Sequence, residues 1–252
     1  MNDINKTNEV NQNSFGTKMK IVEYRKYSDI TVEFQDDFKY KKKCSYKEFK
    51  NGKIKNPYDK EIFGIGYIGV GIYKISENKK LTKCYICWNN MLKRCYDPYY
   101  LNKRPTYRDC MVCEEWHNFQ NFAQWYYDNY YEIEGERMCL DKDILVKGNK
   151  VYSPKTCVFA PNRINILFTK RNQIENDYPM GVFPLREKIQ VQCCGLNDKY
   201  LAIFEKHEVR KAWLMYKLNK ELVIQSIADE YKDLIPKKLY DAMYRYEVEI
   251  ND

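Results

Sequence analysis

The chain has 252 residues, a formal net charge of +8 and a mean hydropathy of -0.73, and 44% of its residues are hydrophobic. This length predicts two or three compact modules with buried cores rather than one small domain. No apolar run approaches the roughly 18 residues of a membrane helix, and no signal peptide opens the sequence, so we expect a soluble cytoplasmic protein.

The N-terminal third predicts a short tail followed by strands. The first 18 residues are polar and rich in Asn, which is typical of a flexible tail. Residues 19–80 predict a small β-module, because residues 19–24 and 30–34 alternate apolar and polar side chains. A further strand-like run occupies residues 70–73.

Residues 81–170 form a central region with helical and strand patterns. Cys84, Trp88, Met91 and Cys95 fall on one stripe of a predicted helix. A second helix is predicted over residues 118–127. Residues 140–146 then predict a strand, 147–149 a turn and 150–152 a returning strand. Residues 162–172 predict the start of a helix or an exposed basic linker.

Residues 178–252 predict a C-terminal module. Strands are expected at residues 181–185, 188–194 and 199–204, followed by a long helix from about His207 to Leu222 and a final helix at 236–246. Leu214, Leu218 and Leu222 recur at four-residue spacing on the long helix. The predicted fold class is therefore α+β, with a three-stranded antiparallel sheet packed on a helix at the C-terminal end.

The second predicted strand of this module offers polar side chains to a partner. Strand alternation directs Ile189 and Val191 toward the helix and Gln190 and Gln192 outward. A β-sheet can enter the major groove of DNA, where glutamine pairs with adenine. Basic residues nearby could contact phosphates, and these are Lys170, Arg171, Arg186, Lys188 and Lys199. The alternative interpretation is an ordinary solvated polar face.

The central motifs carry a resemblance to a known family. The sequence reads R-C-Y at 94–96, V-C-E-E-W at 112–116, L-D-K-D-I-L at 140–145 and Y-S-P-K-T-C at 152–157. This block resembles the centre of bacteriophage proteins grouped with the HNH homing endonucleases, and the likeness extends from about Met19 to Asp252. It implies a ββα-type HNH-like centre and a place in the cytoplasm of a host bacterial cell.

The C-terminal pattern resembles the ethylene-response-factor type of DNA-binding module, which phage homing endonucleases often carry. The resemblance implies double-stranded DNA as the partner. The third strand closes with Leu201-Ala202-Ile203-Phe204, where that type of module has small residues. The likeness is therefore one of pattern more than of motif.

The resemblance also locates a candidate catalytic centre at residues Asp141, Lys142, Asp143 and Asn149. An HNH centre uses a histidine as general base and oxygen ligands for one divalent cation. Lys142 stands where the histidine is expected, and lysine stays protonated at neutral pH. Asp141, Asp143 and Asn149 could bind Mg²⁺ through oxygen. The alternative is a structural turn in which the aspartates meet nearby lysines.

The chain has 10 cysteines and 2 histidines, His117 and His207. Two cysteine sets have spacings compatible with zinc. One consists of two C-x-x-C pairs, Cys84 with Cys87 and Cys110 with Cys113. The other is Cys95, Cys110, Cys113 and Cys157, of which three match cysteines of the phage motifs. Buried free thiols are the alternative explanation.

Three functions are expected from these features. The first is a DNA-binding protein of the homing-endonuclease type with weak or lost phosphodiesterase activity. The second is an interaction protein that inhibits a host defence protein or regulates transcription. The third is an active Mg²⁺-dependent HNH-type endonuclease.

Overall fold

The computed structural model describes residues 5–169, 178–193 and 199–250. The chain divides into two compact units, Met1–Asp128 and Asn129–Asp252. The division falls inside residues 81–170, which the sequence suggested as one central domain. The fold is α+β, with antiparallel sheets in both units, as the sequence predicted.

The first unit begins with a four-stranded antiparallel sheet. Its strands follow chain order and are β1 (Val10–Gln12), β2 (Lys18–Lys26), β3 (Asp29–Phe34) and β4 (Lys41–Cys44), followed by helix α1 (Tyr46–Lys50). Met19, Ile21, Ile30, Val32, Phe34 and Phe49 form its buried core. The prediction of a flexible tail over residues 1–18 was wrong for β1, which pairs with β2 from Val10 to Gln12.

Short strands and helices complete this unit. The strands are β5 (Ser76–Glu77), β6 (Lys80–Leu81) and β7 (Met111–Val112), and the helices are α2 (Lys83–Tyr96), α3 (Pro98–Lys103) and α4 (Phe119–Asn129). The predicted helical stripe is confirmed, since α2 buries Cys84, Trp88, Met91 and Cys95. Trp88 Nε1 donates to the carbonyl of Trp116 at 2.7 Å. Residues 70–73 lie outside any strand, and residues 70–72 form bends rather than the expected strand.

The second unit opens with a strand pair and a short helix. These elements are β8 (Met138–Asp141), β9 (Val151–Tyr152), β10 (Val158–Pro161) and α5 (Asn162–Asn165). The predicted strand over residues 140–146 ends at Asp141, and β8 pairs antiparallel with β10 instead of the returning residues 150–152. The helix at 162–172 extends to Asn165, and residues 170–172 lie outside the described chain.

The C-terminal part is a three-stranded antiparallel meander with two helices. Its elements are β11 (Val182–Leu185), β12 (Lys188–Cys193), β13 (Lys199–Glu205), α6 (Val209–Glu230) and α7 (Lys237–Tyr244). One side of the sheet packs on α6, in a core that includes Ile189, Val191, Ala212 and Ile224. The predicted module is thus confirmed, with a helix that continues eight residues beyond Leu222.

None of the helices in the described residues combines the length and the apolar character needed to span a bilayer.

Candidate functional site

The side of the C-terminal sheet that faces away from α6 carries the two predicted glutamines. Ile189 and Val191 are both 0% exposed in the core shared with α6. Successive side chains of a strand project to opposite faces, so Gln190 and Gln192 project from the other side. Both glutamines are half-buried. This orientation agrees with the sequence prediction.

Apolar side chains lie beside the glutamines on the same side. In the antiparallel register, Gln190 lies opposite Phe183 of β11 and Ile203 of β13, and Gln192 lies opposite Tyr200. Opposed residues of an antiparallel sheet project to the same side. Tyr200 is 48% exposed and Ile203 is 46% exposed. We call this set the outer sheet face: Phe183, Gln190, Gln192, Tyr200 and Ile203.

Charged residues border the outer sheet face, mostly as ion pairs. Lys188 lies opposite Glu205, with its Nζ 2.7 Å from Glu205 Oε1. The hydrogen bond from Lys188 to Glu205 raises the pKa of the lysine. Lys206 Nζ lies 3.2 Å from Glu187 Oε2. Exposed ion pairs contribute little to stability, so these lysines can exchange their carboxylate for a phosphate at small cost.

Arg186 lies in the turn between β11 and β12, with φ of 52° in the left-handed region. Within the described residues, no carboxylate lies at ion-pair distance from its exposed guanidinium. Of the other predicted phosphate contacts, Lys170 and Arg171 lie outside the described residues. Lys199 begins β13, but its side chain is not among those described.

The candidate catalytic residues lie in one loop, residues 141–149, which we call the carboxylate loop. Asp141 ends β8, and its Oδ1 accepts the backbone N–H groups of Asp143 and Ile144, both at 2.8 Å. The side chain of Lys142 is buried, and its Nζ lies 3.0 Å from Asp143 Oδ2. An ammonium group beside a carboxylate has no lone pair with which to accept a proton from water.

Asn149 closes the carboxylate loop from its other end. Its Nδ2 donates to the carbonyl of Lys142 at 2.6 Å and to that of Val151 at 2.7 Å. Its Oδ1 accepts the N–H of Val151 at 3.3 Å. Both the nitrogen and the oxygen of the amide are therefore hydrogen-bonded to the loop backbone. The structure shows Asn149 as a clamp of the loop backbone, and its predicted role as an oxygen ligand stays a prediction.

At the two carboxylates of the carboxylate loop, a bound Mg²⁺ would compete with the Lys142 ammonium, and Mg²⁺ binding stays a prediction. Burial, followed by the charge of the Asp143 carboxylate, raises the pKa of Asp141 to about 6. The Lys142 ammonium contacts the carboxylate of Asp143. Magnesium requires an octahedral shell of oxygen ligands, mostly anionic groups and water. A cation held against these carboxylates would first have to displace the Lys142 ammonium.

The candidate zinc ligands lie in different surroundings within their units. Cys95 and Cys110 are buried in the first unit, Cys113 is half-buried there, and Cys157 is buried in the second unit. Burial raises the pKa of Cys113, which disfavours the thiolate. Across the described ranges, no group of three or more His, Cys, Asp or Glu side chains is placed to hold a metal ion. Zinc binding by either cysteine set stays a prediction.

The two histidines occupy different positions within their units. His117 Nε2 lies 3.1 Å from the carbonyl oxygen of Val112, so this nitrogen carries the hydrogen and donates it. Burial lowers the pKa of His117, which favours the neutral ring. His207 is exposed in the short 3-10 turn that precedes α6. The hydrogen bond of His117 to the Val112 carbonyl is a local structural contact.

Sequence reasoning missed the apolar members of the outer sheet face. The pairing of β12 with β13 shifts between Val191 and Gln192, so Gln190 lies opposite Ile203 but Gln192 lies opposite Tyr200. Because of this irregularity, alternation along β13 alone does not predict which residues face outward. The exposed position of Ile203 follows from the register, not from its own hydrophobicity.

The chain was compared with protein-family models, with curated proteins and with solved structures, and no match was found in any of the three. A functional assignment therefore has to be made from the residues and their geometry.

Proposed function

We propose that this protein binds double-stranded DNA through the outer sheet face, as a protein of the phage homing-endonuclease type with weak or lost phosphodiesterase activity. The observation that carries the proposal is the position of Gln190 and Gln192. Both project from a sheet whose opposite side is sealed against α6, and half-exposed apolar side chains flank them in register.

The chemistry of this face suits the edges of base pairs in the major groove. The glutamine Nε2 can donate to adenine N7 while its Oε1 accepts from the adenine N6 amino group, and apolar side chains contact the methyl group of thymine. Gln190 supplies the amide and Ile203, directly opposite, supplies the apolar contact. Phosphate contacts would come from Arg186 and Lys188, in a chain with a net charge of +8.

Weak or lost cleavage is supported by the carboxylate loop. Where the family resemblance places a general base, Lys142 stands as an ammonium 3.0 Å from Asp143 Oδ2. Asp141 uses one carboxylate oxygen for two backbone N–H groups, and Asn149 uses its amide to clamp the loop. These polar groups are therefore bonded within the loop, which carries no activated general base.

Electrophoretic mobility shift of the full chain on random-sequence duplexes at low salt tests the proposal, because phosphate contacts are strongest there. Duplexes enriched by repeated selection then serve to compare variants. We expect Gln190→Ala with Gln192→Ala to weaken binding to the selected duplex by about tenfold or more, since a bidentate contact contributes about 1–3 kcal/mol. Gln35→Ala, an exposed glutamine of the first unit, is the matched control.

Two results of this experiment would contradict the proposal. The first is the absence of a shift on any duplex at low salt. The second is an equal loss of affinity in Gln35→Ala and in the double variant. If all duplexes shift equally, and the Gln190→Ala, Gln192→Ala variant shifts them as the parent does, another surface binds the phosphates.

A protein-interaction function is the second candidate, favoured by the half-exposed Tyr200 and Ile203 on the outer sheet face. Aromatic side chains are enriched at the centres of protein interfaces. The partner would be a host defence protein or a component of transcription. Affinity capture from bacterial lysate separates the two functions, because a stoichiometric protein partner together with no DNA affinity would favour interaction.

A further inference from the structure

Helix α6 carries an exposed line of leucines on the side that does not pack on the sheet. Its core side buries Ala212, Ile224 and Ile227, among others, each 0% exposed. Three leucines lie apart from that core, and we call them the leucine stripe: Leu214, Leu218 and Leu222, which are 42%, 59% and 63% exposed. Single exposed leucines are ordinary, but three in line along one helix form a contiguous apolar surface.

Residues of opposite charge lie beyond the two ends of the leucine stripe. Lys211 lies one turn before it, with a side chain that is 71% exposed and a contact to Glu208 at 2.7 Å. Asp229 lies beyond it at the other end of the helix and is exposed. Hydrogen bonds from the hydroxyls of Tyr244 and Tyr240 lower the pKa of Asp229, which keeps it ionised. At 3.6 residues per turn, Lys211, Leu218 and Asp229 share one side of the helix.

We propose that the leucine stripe is a homodimer surface on which α6 of a second copy packs in antiparallel orientation. The register that places Leu218 against Leu222 of the partner subunit also places Lys211 against Asp229 of the partner subunit. By two-fold symmetry each of these contacts forms twice. One arrangement therefore buries the leucines and pairs the charges at both ends.

A parallel pairing does not satisfy the same residues. It would place Lys211 against Lys211 of the partner subunit and Asp229 against Asp229 of the partner subunit, and like charges repel. Antiparallel helices also align opposite ends of their dipoles. From Lys211 to Asp229 the contact spans about 27 Å of helix. A single helix face buries less area than a standard protein interface. We therefore expect the dimer to dissociate on dilution.

Sedimentation velocity of the full chain, without DNA, from about 1 μM to about 100 μM measures the monomer–dimer equilibrium. We expect a dimer at the high end and at least a tenfold rise of the dissociation constant in Leu218→Lys, or about 1.4 kcal/mol. Leu234→Lys is the matched control, since Leu234 is 53% exposed in the same unit but lies outside α6. Circular dichroism verifies that both variants are folded.

A charge exchange tests the orientation. Lys211→Glu places two carboxylates together and weakens the antiparallel dimer, and Lys211→Glu combined with Asp229→Lys restores the pairing and the affinity. A monomeric parent at all concentrations overturns the proposal, as does a dimer that Leu218→Lys and Leu234→Lys weaken equally. Failure of the double exchange to restore association overturns the antiparallel register.

Discussion

At the scale of single residues, Asn149 acts as the clamp of the carboxylate loop. Asn149→Ala removes hydrogen bonds to the carbonyls of Lys142 and Val151 and leaves both acceptors without this donor. We expect a loss of about 1–3 kcal/mol in the free energy of unfolding, because two hydrogen bonds of a partly buried amide are lost. Urea unfolding followed by circular dichroism measures the change.

The neighbouring Lys150 provides the control for this prediction. Its side chain is exposed, so Lys150→Ala should change the free energy of unfolding by less than about 0.5 kcal/mol. Equal stability of Asn149→Ala and Lys150→Ala would show that the amide does not hold the loop. A metal-ligand role for Asn149 would instead appear as a stability loss that depends on added Mg²⁺.

Asp141 makes stability depend on pH in a direction set by its raised pKa. The pKa is about 6 in the folded protein against an ordinary value of 3.8, so the folded state binds the proton more tightly. Its contribution to stability is fully present below about pH 4 and is lost as the pH rises to about 6. Since each pKa unit corresponds to about 1.4 kcal/mol, we expect a loss of roughly 3 kcal/mol.

Asp141→Asn tests this dependence because asparagine stays neutral and keeps an oxygen for the two backbone N–H groups. The free energy of unfolding of the parent minus that of the variant should fall between pH 4 and pH 6 and then stay level. Asp233→Asn, at an exposed aspartate of the same unit, is the control for the loss of one carboxylate. A difference that rises with pH would contradict the raised pKa.

At the scale of elements, Gly181 lies directly before β11, the first strand of the C-terminal sheet. Its φ of +82° is in the left-handed region, and a Cβ at this position would overlap the ring of Tyr216 on α6. Gly181→Ala should therefore cost about 3 kcal/mol or more, from backbone strain and from displacement of a core aromatic ring. Thermal unfolding of the full chain measures the loss.

The Gly148→Ala variant distinguishes the cost of backbone strain from the cost of steric overlap. Its φ is +77°, close to that of Gly181, but a Cβ there would meet nothing within 4 Å. Gly148→Ala should cost about 1 kcal/mol from backbone strain alone. Similar losses in the two variants would mean that the contact between Gly181 and Tyr216 does not constrain the sheet and the helix.

The end of β8 shows where pattern reasoning fails at this scale. Ile144 and Val146 continue the alternation of a strand, and the sequence therefore predicted a strand to residue 146. Asp141 ends it earlier because its carboxylate accepts the backbone N–H groups of Asp143 and Ile144, which a neighbouring strand would otherwise bind. This competition depends on side-chain geometry and is not visible in hydrophobic periodicity.

At the scale of the whole molecule, the expected outcome is DNA binding without efficient cleavage. Supercoiled plasmid incubated with the full chain and Mg²⁺ or Mn²⁺ should be nicked no faster than with the Asp141→Ala, Asp143→Ala variant. The physical reason is the absence of an activated base in the carboxylate loop, where Lys142 and Asp143 form an ion pair. Nicking by the parent that disappears in the double variant would establish an active nuclease.

The division into units is also a property of the whole molecule that the sequence did not predict. The sequence suggested that residues 81–170 form one central domain, on a resemblance of their motifs to one family. The boundary falls at Asp128 and Asn129, directly within α4. The helices before it bury apolar residues within the first unit, and β10 contributes Val158 and Ala160 to the core of the second. Motif continuity therefore does not define a compact unit.

The sequence by itself determined the local elements: the stripe of α2, the helix α4, the alternation in β2, β3 and β12, and the outward direction of Gln190 and Gln192. Periodicity predicts these because each depends only on neighbouring residues. The tertiary structure decided which strand β8 pairs with, that Lys142 contacts Asp143, and that the leucines of α6 remain exposed. These features depend on which distant segments cover a given side chain, and spacing along the chain carries no information about that.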